Sequence, residues 1–426
     1  MAHLTVKSGY RDLEKRINRF PQGAPPSELL FKILSLLFSE NEARLVSRMP
    51  IRPFTLQKIA GIWRMSEEEA ERICNDLADR GMLVDLVDEH TQTYVLPPPM
   101  AGFIEFSLMR VRKDVDQKAL SELYYRYLNV EEDFVRELFT VGETQIGRVF
   151  VEESALVRDN TLQVLDYERA SHVINDASHI GIGVCYCRHK MEHVGKNCDA
   201  PMDICMTFNT SAASLIKHGI ARSVDAAECL DLLALAREKN LVQFGENVQQ
   251  RVNFICNCCG CCCEALLAAQ RFGFMNPVAT TGFLPVVNTD LCNGCGKCVD
   301  VCPVEALSLV SANDPHKPKK RRAKVDERIC LGCAVCIKNC TPNALTLKPR
   351  EQKIITPVDS THKVVLMAME RGKLQNLIFD EGSKSHRALA AILGVLLKLP
   401  PMKRLMALKQ VRSRYILSLL AMTSQT

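Results

Sequence analysis

From Leu56 to Ile62 the chain carries a short apolar segment, closed by a turn at Trp63–Ser66. Beyond it, Ala70, Ile73, Cys74, Leu77 and Ala78 recur at the spacing of one helix face. Ser66 stands as N-cap with Glu69 three residues on, the capping-box arrangement, so a helix is predicted to start there and to end at Gly81. Two β-rich runs follow, MLVDLV and TYVLP, and the triple proline Pro97–Pro99 marks a boundary. Leu120, Leu123, Tyr124, Tyr127 and Leu128 then form the apolar stripe of another amphipathic helix. Residues 140–283 predict mixed helix and strand, with a helix from Ser223 to about Glu238 burying Ala226, Cys229, Leu230, Leu233 and Ala234. Cys74 and Cys229 fall on these stripes and are expected as small core residues.

Helix, turn, helix and two strands over residues 54–96 make a winged-helix-like pattern. Its second helix carries Glu67, Glu68, Glu69, Glu71, Asp76 and Asp79 against Arg72 and Arg80. DNA affinity is mostly phosphate neutralisation, so this helix is expected to repel a duplex and to serve as a structural or protein-contact module. Specific DNA binding, and with it a redox-sensing regulator, is not expected.

Composition bounds the rest. The 426 residues suffice for two or three domains, and 47% hydrophobic content with a net charge of +5 describes a soluble globular chain. The opening MAHLTVKSGYRDLEKRI lacks the apolar core of a signal peptide, and no run approaches the roughly 18 apolar residues of a membrane span. A cytoplasmic protein is expected. The fold class expected is α+β and multidomain: a winged-helix-like module at 1–99, a cysteine-rich α/β domain at 100–283, a two-cluster ferredoxin-type domain at 284–348 and a basic, helical tail at 349–426. Residues 384–426 hold eight Lys/Arg and no acid, with Leu408, Val411, Tyr415, Leu419 and Met422 as an apolar stripe. Peripheral contact with anionic lipid through this tail is one expectation, packing on the protein body the other.

Twenty cysteines then change the picture. A reducing compartment disfavours a disulfide framework, so cysteine this dense points to metal. Cys292, Cys295, Cys298 and Cys302 follow C-x2-C-x2-C-x3-C, with Pro303 next; Cys330, Cys333, Cys336 and Cys340 repeat the spacing 38 residues later, with Pro342 one position beyond the matching place. Zinc ribbons use paired C-x2-C knuckles, not a run of three with a fourth at x3. A cubane takes three thiolates from the close run and its fourth from the distant cysteine of the other motif. Cys292, Cys295, Cys298 and Cys340 are therefore expected to hold one [4Fe–4S] cluster, and Cys330, Cys333, Cys336 and Cys302 the second. Gly294, Gly296 and Gly332 suit a backbone that turns tightly around sulfide. The motif resembles bacterial-type two-cluster ferredoxins, which implies low-potential, one-electron transfer.

Ten more cysteines lie between. Cys185, Cys187, Cys198 and Cys205 stand at C-x-C-x10-C-x6-C, and NFICNCCGCCCEALL supplies Cys256, Cys258, Cys259, Cys261, Cys262 and Cys263. A further iron–sulfur centre is expected here, either one per group or a single larger one. A strand Val252–Cys256 leading to a helix from about Cys263 would set Cys261–Cys263 at a helix N-terminus, where the dipole lowers thiol pKa. His189 and His193 are candidate ligands, and Arg188 a charge partner. From about residue 20 to 346 the chain resembles large 4Fe–4S-binding proteins of anaerobes, which share the N-terminal module, the Cys185-Tyr186-Cys187-Arg188…Cys198…Cys205 element, the Cys256–Cys263 element and the closing double motif. That resemblance implies an architecture and no reaction.

No G-x-G-x-x-G follows a strand and no G-x-x-x-x-G-K-[ST] is present, so an electron carrier of this kind depends on redox partner proteins, an oxidoreductase or flavoprotein. The competing expectation is an oxidoreductase whose middle cysteines hold a substrate-binding or unusual cluster.

Overall fold

In the computed structural model, which describes residues 8–88, 91–156, 165–351 and 356–379, the chain opens with three helices, Ser8–Arg19, Glu28–Leu37 and Glu40–Val46. Ser27 and Ser39 cap the second and third, the latter in a full capping box with Glu42. Strand β1 (Phe54–Thr55) leads into helices Leu56–Trp63 and Glu67–Asp79, followed by β2 (Val84–Asp88) and β3 (Thr91–Val95). These strands form an antiparallel sheet in the order β1-β3-β2. The elements fall where the periodicity put them. Ser66 Oγ accepts the N–H of Glu69 at 3.2 Å, Gly81 adopts φ +76°, and Cys74 is fully buried. The acidic side chains of the second helix all face solvent.

Asp85 fastens this sheet to the middle of the chain. It accepts from Ser214 Oγ and Lys217 Nζ, both at 2.5 Å, and meets His218 Nε2 at 3.2 Å. Helix Gln117–Tyr125, with the wide turn after it, buries Leu120, Tyr124, Tyr127 and Leu128 as expected.

The middle holds six strands: β4 (Gly147–Val149), β5 (Ile180–Gly183), β6 (Cys205–Phe208), β7 (Arg222–Ser223), β8 (Val242–Glu246) and β9 (Phe254–Cys258). They form one sheet, order β4-β8-β9-β6-β5-β7, antiparallel throughout. The helix expected from Ser223 starts three residues later, at Ala226, because Asp225 is the cap: its carboxylate accepts the N–H of Glu228 at 2.8 Å. Ala236 takes the buried place expected for Ala234, which is exposed, while Cys229 and Leu233 are buried as expected.

Toward the C-terminus two antiparallel pairs follow. Strand β10 (Phe283–Val287) pairs with the last strand, β13 (Leu345–Pro349), and β11 (Leu307–Ser311) pairs with β12 (Arg321–Val325). Short helices Lys297–Asp300 and Val335–Lys338 carry the third cysteine of each motif. Helices Ser360–Glu370 and Leu374–Ile378 then pack back on the body, where Lys363 pairs with buried Glu246 and Glu370 accepts from Thr144. The apolar stripe of the tail, Leu408 to Met422, lies outside the described residues. Among the described residues no helix is long and apolar enough to cross a membrane.

Candidate metal centres

The double motif repeats in three dimensions as in sequence. Gly294 and Gly332, 38 residues apart, adopt φ +70° and +71°. A Cβ on Gly294 would lie 2.3 Å from the Arg321 carbonyl oxygen, and one on Gly332 2.2 Å from that of Phe283. Only glycine fits these turns. Gly296 and its repeat partner Ala334 are also left-handed, a strained setting for alanine, as are Glu305 and Asn343. Ala306 N–H points at Cys302 Sγ and Ala344 N–H at Cys340 Sγ, each at 3.2 Å, and Ala323 N–H at Cys292 Sγ at 3.4 Å.

Cys292, Cys295, Cys298 and Cys340 line one cavity, together with Leu309, Ala323, Ala344 and Leu345. Pro342, the displaced proline, lines the same cavity. Cys340 thus lies with the three close cysteines of the other motif. Burial lifts the Cys330 thiol to about 11 and that of Cys336 further still, and in both the neighbouring Cys302 adds to the rise. Convergent thiols, amide donors aimed at sulfur and glycine cradles suit a thiolate-bound cluster. Cys295 is exposed, beside exposed Lys297 and next to the basic hairpin that carries Lys317, Lys319, Arg321 and Lys324 on its surface. No cysteine of the second set is exposed.

The middle cysteines also converge, in a partition that the spacing did not foretell. Cys198 leaves Cys185, Cys187 and Cys205 and joins Cys259, Cys261 and Cys262, whose sulfurs all lie within 4.8 Å of one another. The other six line an apolar cavity of about 110 Å³ with Met100, Tyr186, Phe244 and Phe254, and Cys259 and Cys262 of the first group reach its wall as well. Cys256 and Cys258 point to one side because strand residues two apart share a face; beyond β9 a tight turn at Gly260 reverses the chain and Cys263 comes back to the six. The Cys256–Cys263 run thus serves both sets, with Cys259, Cys261 and Cys262 in the four-thiol set flanked by Cys256, Cys258 and Cys263.

Crowding shows in the thiol acidities. Cys259 falls to about 4, mainly through the hydrogen bond from Cys262, whose own thiol rises. Cys263 falls to about 6, held by hydrogen bonds from Cys187 and Cys258, whereas burial pushes Cys261 up to about 12. Cys263 does stand at the N-cap of helix Glu264–Phe272, but hydrogen bonds from neighbouring thiols lead its fall, and Cys261 and Cys262 rise instead. Arg188, almost wholly buried, bonds the carbonyls of Pro201 and Asn257 at 2.7 and 2.6 Å and faces Cys185, Cys198, Cys258 and Cys259, the role of charge partner expected for it. His189 instead meets the Leu108 carbonyl at 2.8 Å and His193 at 3.2 Å, and neither imidazole joins a thiol set.

Three residues here escaped the sequence reading. Glu105 lines the six-thiol cavity; burial raises its carboxyl to about 8 although the N–H groups of Gly102 and Ala101 point at it. The proline triplet before it signalled only a boundary. Gln270 and Gly260 join the middle domain to the double motif: Gln270 Nε2 donates to the carbonyls of Gly260 (2.9 Å) and Pro303 (2.8 Å). The seam continues at the second motif, where Glu152 N–H bonds Cys333 O at 2.9 Å and Thr281 N–H bonds Leu331 O at 3.0 Å.

Residues 291–353 match the family described as 4Fe-4S dicluster domain. The chain thus carries a ferredoxin-type iron–sulfur domain in its C-terminal region. It is 57% identical over 28 residues to Ferredoxin-2 of Desulfomicrobium norvegicum, covering 7% of this chain and 48% of that protein. It is 70% identical over 23 residues to a protein named Probable ferredoxin from Methanosarcina thermophila, covering 5% of this chain and 40% of that one. The chain therefore spans less than half the length of each of these curated relatives. No solved structure matches.

Proposed function

We propose that this protein passes single low-potential electrons between redox partners through two [4Fe–4S] clusters, with a further iron–sulfur centre in the middle domain. The observation that carries the reading is the position of Cys340 in the cavity of Cys292, Cys295 and Cys298. Cys292, Cys295, Cys298 and Cys340 would hold one cluster, and Cys330, Cys333, Cys336 and Cys302 the other. A cubane pair supplies one-electron transfer at low potential. The chain's own part is to hold the sulfurs, aim the Ala306, Ala323 and Ala344 amides at them and limit water, each of which tunes potential.

The layout favours a direction. Exposed Cys295 beside a basic rim suits docking of an acidic partner such as a flavoprotein, and the second set abuts the middle cysteines through Pro303 and Gly260. The N-terminal module fits a winged-helix-like unit used for packing on the middle domain. The basic tail would reach either a partner or an anionic lipid surface; flotation of the full chain with anionic vesicles at low salt, against a chain cut after residue 379, separates the two. Anaerobic purification with iron and acid-labile sulfide counts, then EPR of the reduced protein, tests the central reading. Two interacting cubane signals are expected. Zinc in the double motif, or a single cubane, would overturn it.

A second reading is favoured by the cavity itself, an enclosed apolar space beside six thiols with Glu105 on its wall. There the middle centre would act on a small substrate as an oxidoreductase. Perturbation of its EPR signal by cyanide or azide would mark an open coordination position and promote this reading over simple electron transfer.

A further inference from the structure

We propose that Cys198, Cys259, Cys261 and Cys262 hold a single tetrahedral metal ion of the zinc or iron class, bound by four thiolates without sulfide. It would adjoin, and be distinct from, a sulfide-bridged centre on Cys185, Cys187, Cys205, Cys256, Cys258 and Cys263, since Cys259 and Cys262 also reach the wall of that cavity. This deepens the middle-domain reading above and is independent of the ferredoxin-type clusters.

Spacing carries the argument. An ion with metal–sulfur bonds of about 2.3 Å sets the corners of its thiolate tetrahedron about 3.8 Å apart. Here Cys198 Sγ stands 3.5 Å from Cys259 Sγ and 3.9 Å from Cys262 Sγ, and Cys261 Sγ stands 3.6 Å from Cys262 Sγ. All four sulfurs lie within 4.8 Å of one another. In a cubane each cysteine binds a different iron and the core lies between the sulfurs, which forces them well apart. The same molecule supplies the comparison. Among the described residues this is the one set of three or more cysteine, histidine or carboxylate ligand atoms so closely gathered, and none of the eight double-motif cysteines belongs to it. Cys205 Sγ and Cys256 Sγ of the other group also approach to 3.9 Å, but among the described residues no third ligand atom gathers that closely with both, so this set of four has the mutual spacing that suits a lone ion.

Chain geometry gives the ion a task. Cys198 sits between helix Tyr186–His193 and β6, in a stretch without helix or strand, and the other three sit on the turn that follows β9. Among the described residues no strand pairing joins these two irregular segments; the sulfurs meet there. A bound cation would join them and set Gly260 against Pro303, and would also relieve the repulsion of four thiolates that Arg188 alone offsets only in part. Four protein ligands close the coordination sphere, as in structural tetrathiolate sites. Cys261 alone is exposed, so one edge of the site remains open to a chelator.

The test uses the full-length chain, purified without oxygen, with metals counted by mass spectrometry beside acid-labile sulfide. Cys261→Ser and the double variant Cys259→Ser/Cys262→Ser should each lose about one metal ion per chain while sulfide and the EPR signals of the iron–sulfur centres stay as in the parent. The metal lost names the occupant: zinc, or iron that has no matching sulfide. A second measurement needs no variant. Exchange of the parent chain with cobalt(II) should give the ligand-field absorption of a tetrahedral cobalt thiolate. Loss of about four irons together with about four sulfides would show a cubane there and overturn the proposal. So would parent protein in which the four thiols are metal-free, whether alkylated under native conditions or joined as disulfides, with no cobalt spectrum. Failure of the electron-carrier reading would appear elsewhere, as absent cubane signals in the parent chain.

Discussion

A Cβ on Gly260 would sit 2.5 Å from the carbonyl oxygen of Pro303, so the cysteine-rich turn and the first ferredoxin-type motif touch backbone to backbone. Pro303 follows Cys302, the cysteine that crosses to the second set, and Gly260 separates Cys259 from Cys261. The contact brings the two sulfur-rich regions directly together through space. Gly260→Ala is expected to push the segments apart, at a cost of about 1–3 kcal/mol in stability. Gln270→Ala, which removes both stapling hydrogen bonds, should cost a similar 1–3 kcal/mol or so. Thermal unfolding measures both. Stopped-flow reduction should show electrons reaching the middle centre more slowly in Gly260→Ala, while the double motif reduces at the parental rate.

Exchange of the fourth cysteines makes a counterintuitive prediction. Cys340→Ala should damage the cluster of Cys292, Cys295 and Cys298, which lies in the other motif, and spare that of Cys330, Cys333 and Cys336. Cys302→Ala should do the reverse. EPR of each reduced variant, with iron and sulfide counts, reads the outcome; damage confined to the variant's own motif contradicts the exchange.

The Asp85 junction predicts a pH dependence. Burial alone would raise the Asp85 carboxyl, but hydrogen bonds from His218, Lys217 and Ser214 hold it well below the usual carboxylate range. His218 is raised, chiefly by its bond to Asp85. A raised histidine stabilises fully below its unfolded pKa of about 6.5, and that contribution is lost as pH climbs through its higher folded value. A lowered aspartate stabilises above about 3.9 and that contribution is lost as pH falls toward its folded value. Thermal stability should therefore peak between these limits and decline from pH 6.5 upward. His218→Gln should flatten the upper decline, and Asp85→Asn should destabilise by roughly 1–3 kcal/mol through partners left unmatched.

Charge on the two faces separates partner classes. Reduction by an acidic partner should slow by about tenfold or more from low to high salt, and Lys317→Glu with Lys319→Glu should reproduce the effect at low salt. DNA should behave otherwise. With Glu67, Glu68, Glu69, Glu71 and Asp76 exposed on helix Glu67–Asp79, and Asp79 turned to His218, a mobility shift at physiological salt should reveal no sequence-specific site.

Local order was legible in the chain where one rule dominated. Helix periodicity located Ala70, Cys74 and Leu77, and a strict repeat located the double motif down to Gly294 and Gly332. Where the signal was weaker the reading slipped by a few residues, as at the helix expected from Ser223, which is capped by Asp225 and begins at Ala226. The allegiance of the ten middle thiols could not be read at all. It depends on which face of β9 each residue meets and on how far the chain between Tyr186 and β6 reaches, and neither follows from spacing. Glu105 was silent for the same reason: its neighbours in space come from β8, β9 and the Cys185 turn, far away in sequence.

Cys295 stands in solvent while every cysteine of its sister set is covered, and that asymmetry bears on how the molecule ages. Dissolved oxygen or peroxide reaches the outer site first, so damage should advance from the rim inward. A batch exposed briefly to air would then retain its interior sulfur chemistry after it had lost its point of electrical contact. Such material would still look brown and still count most of its iron, yet no partner could drive it.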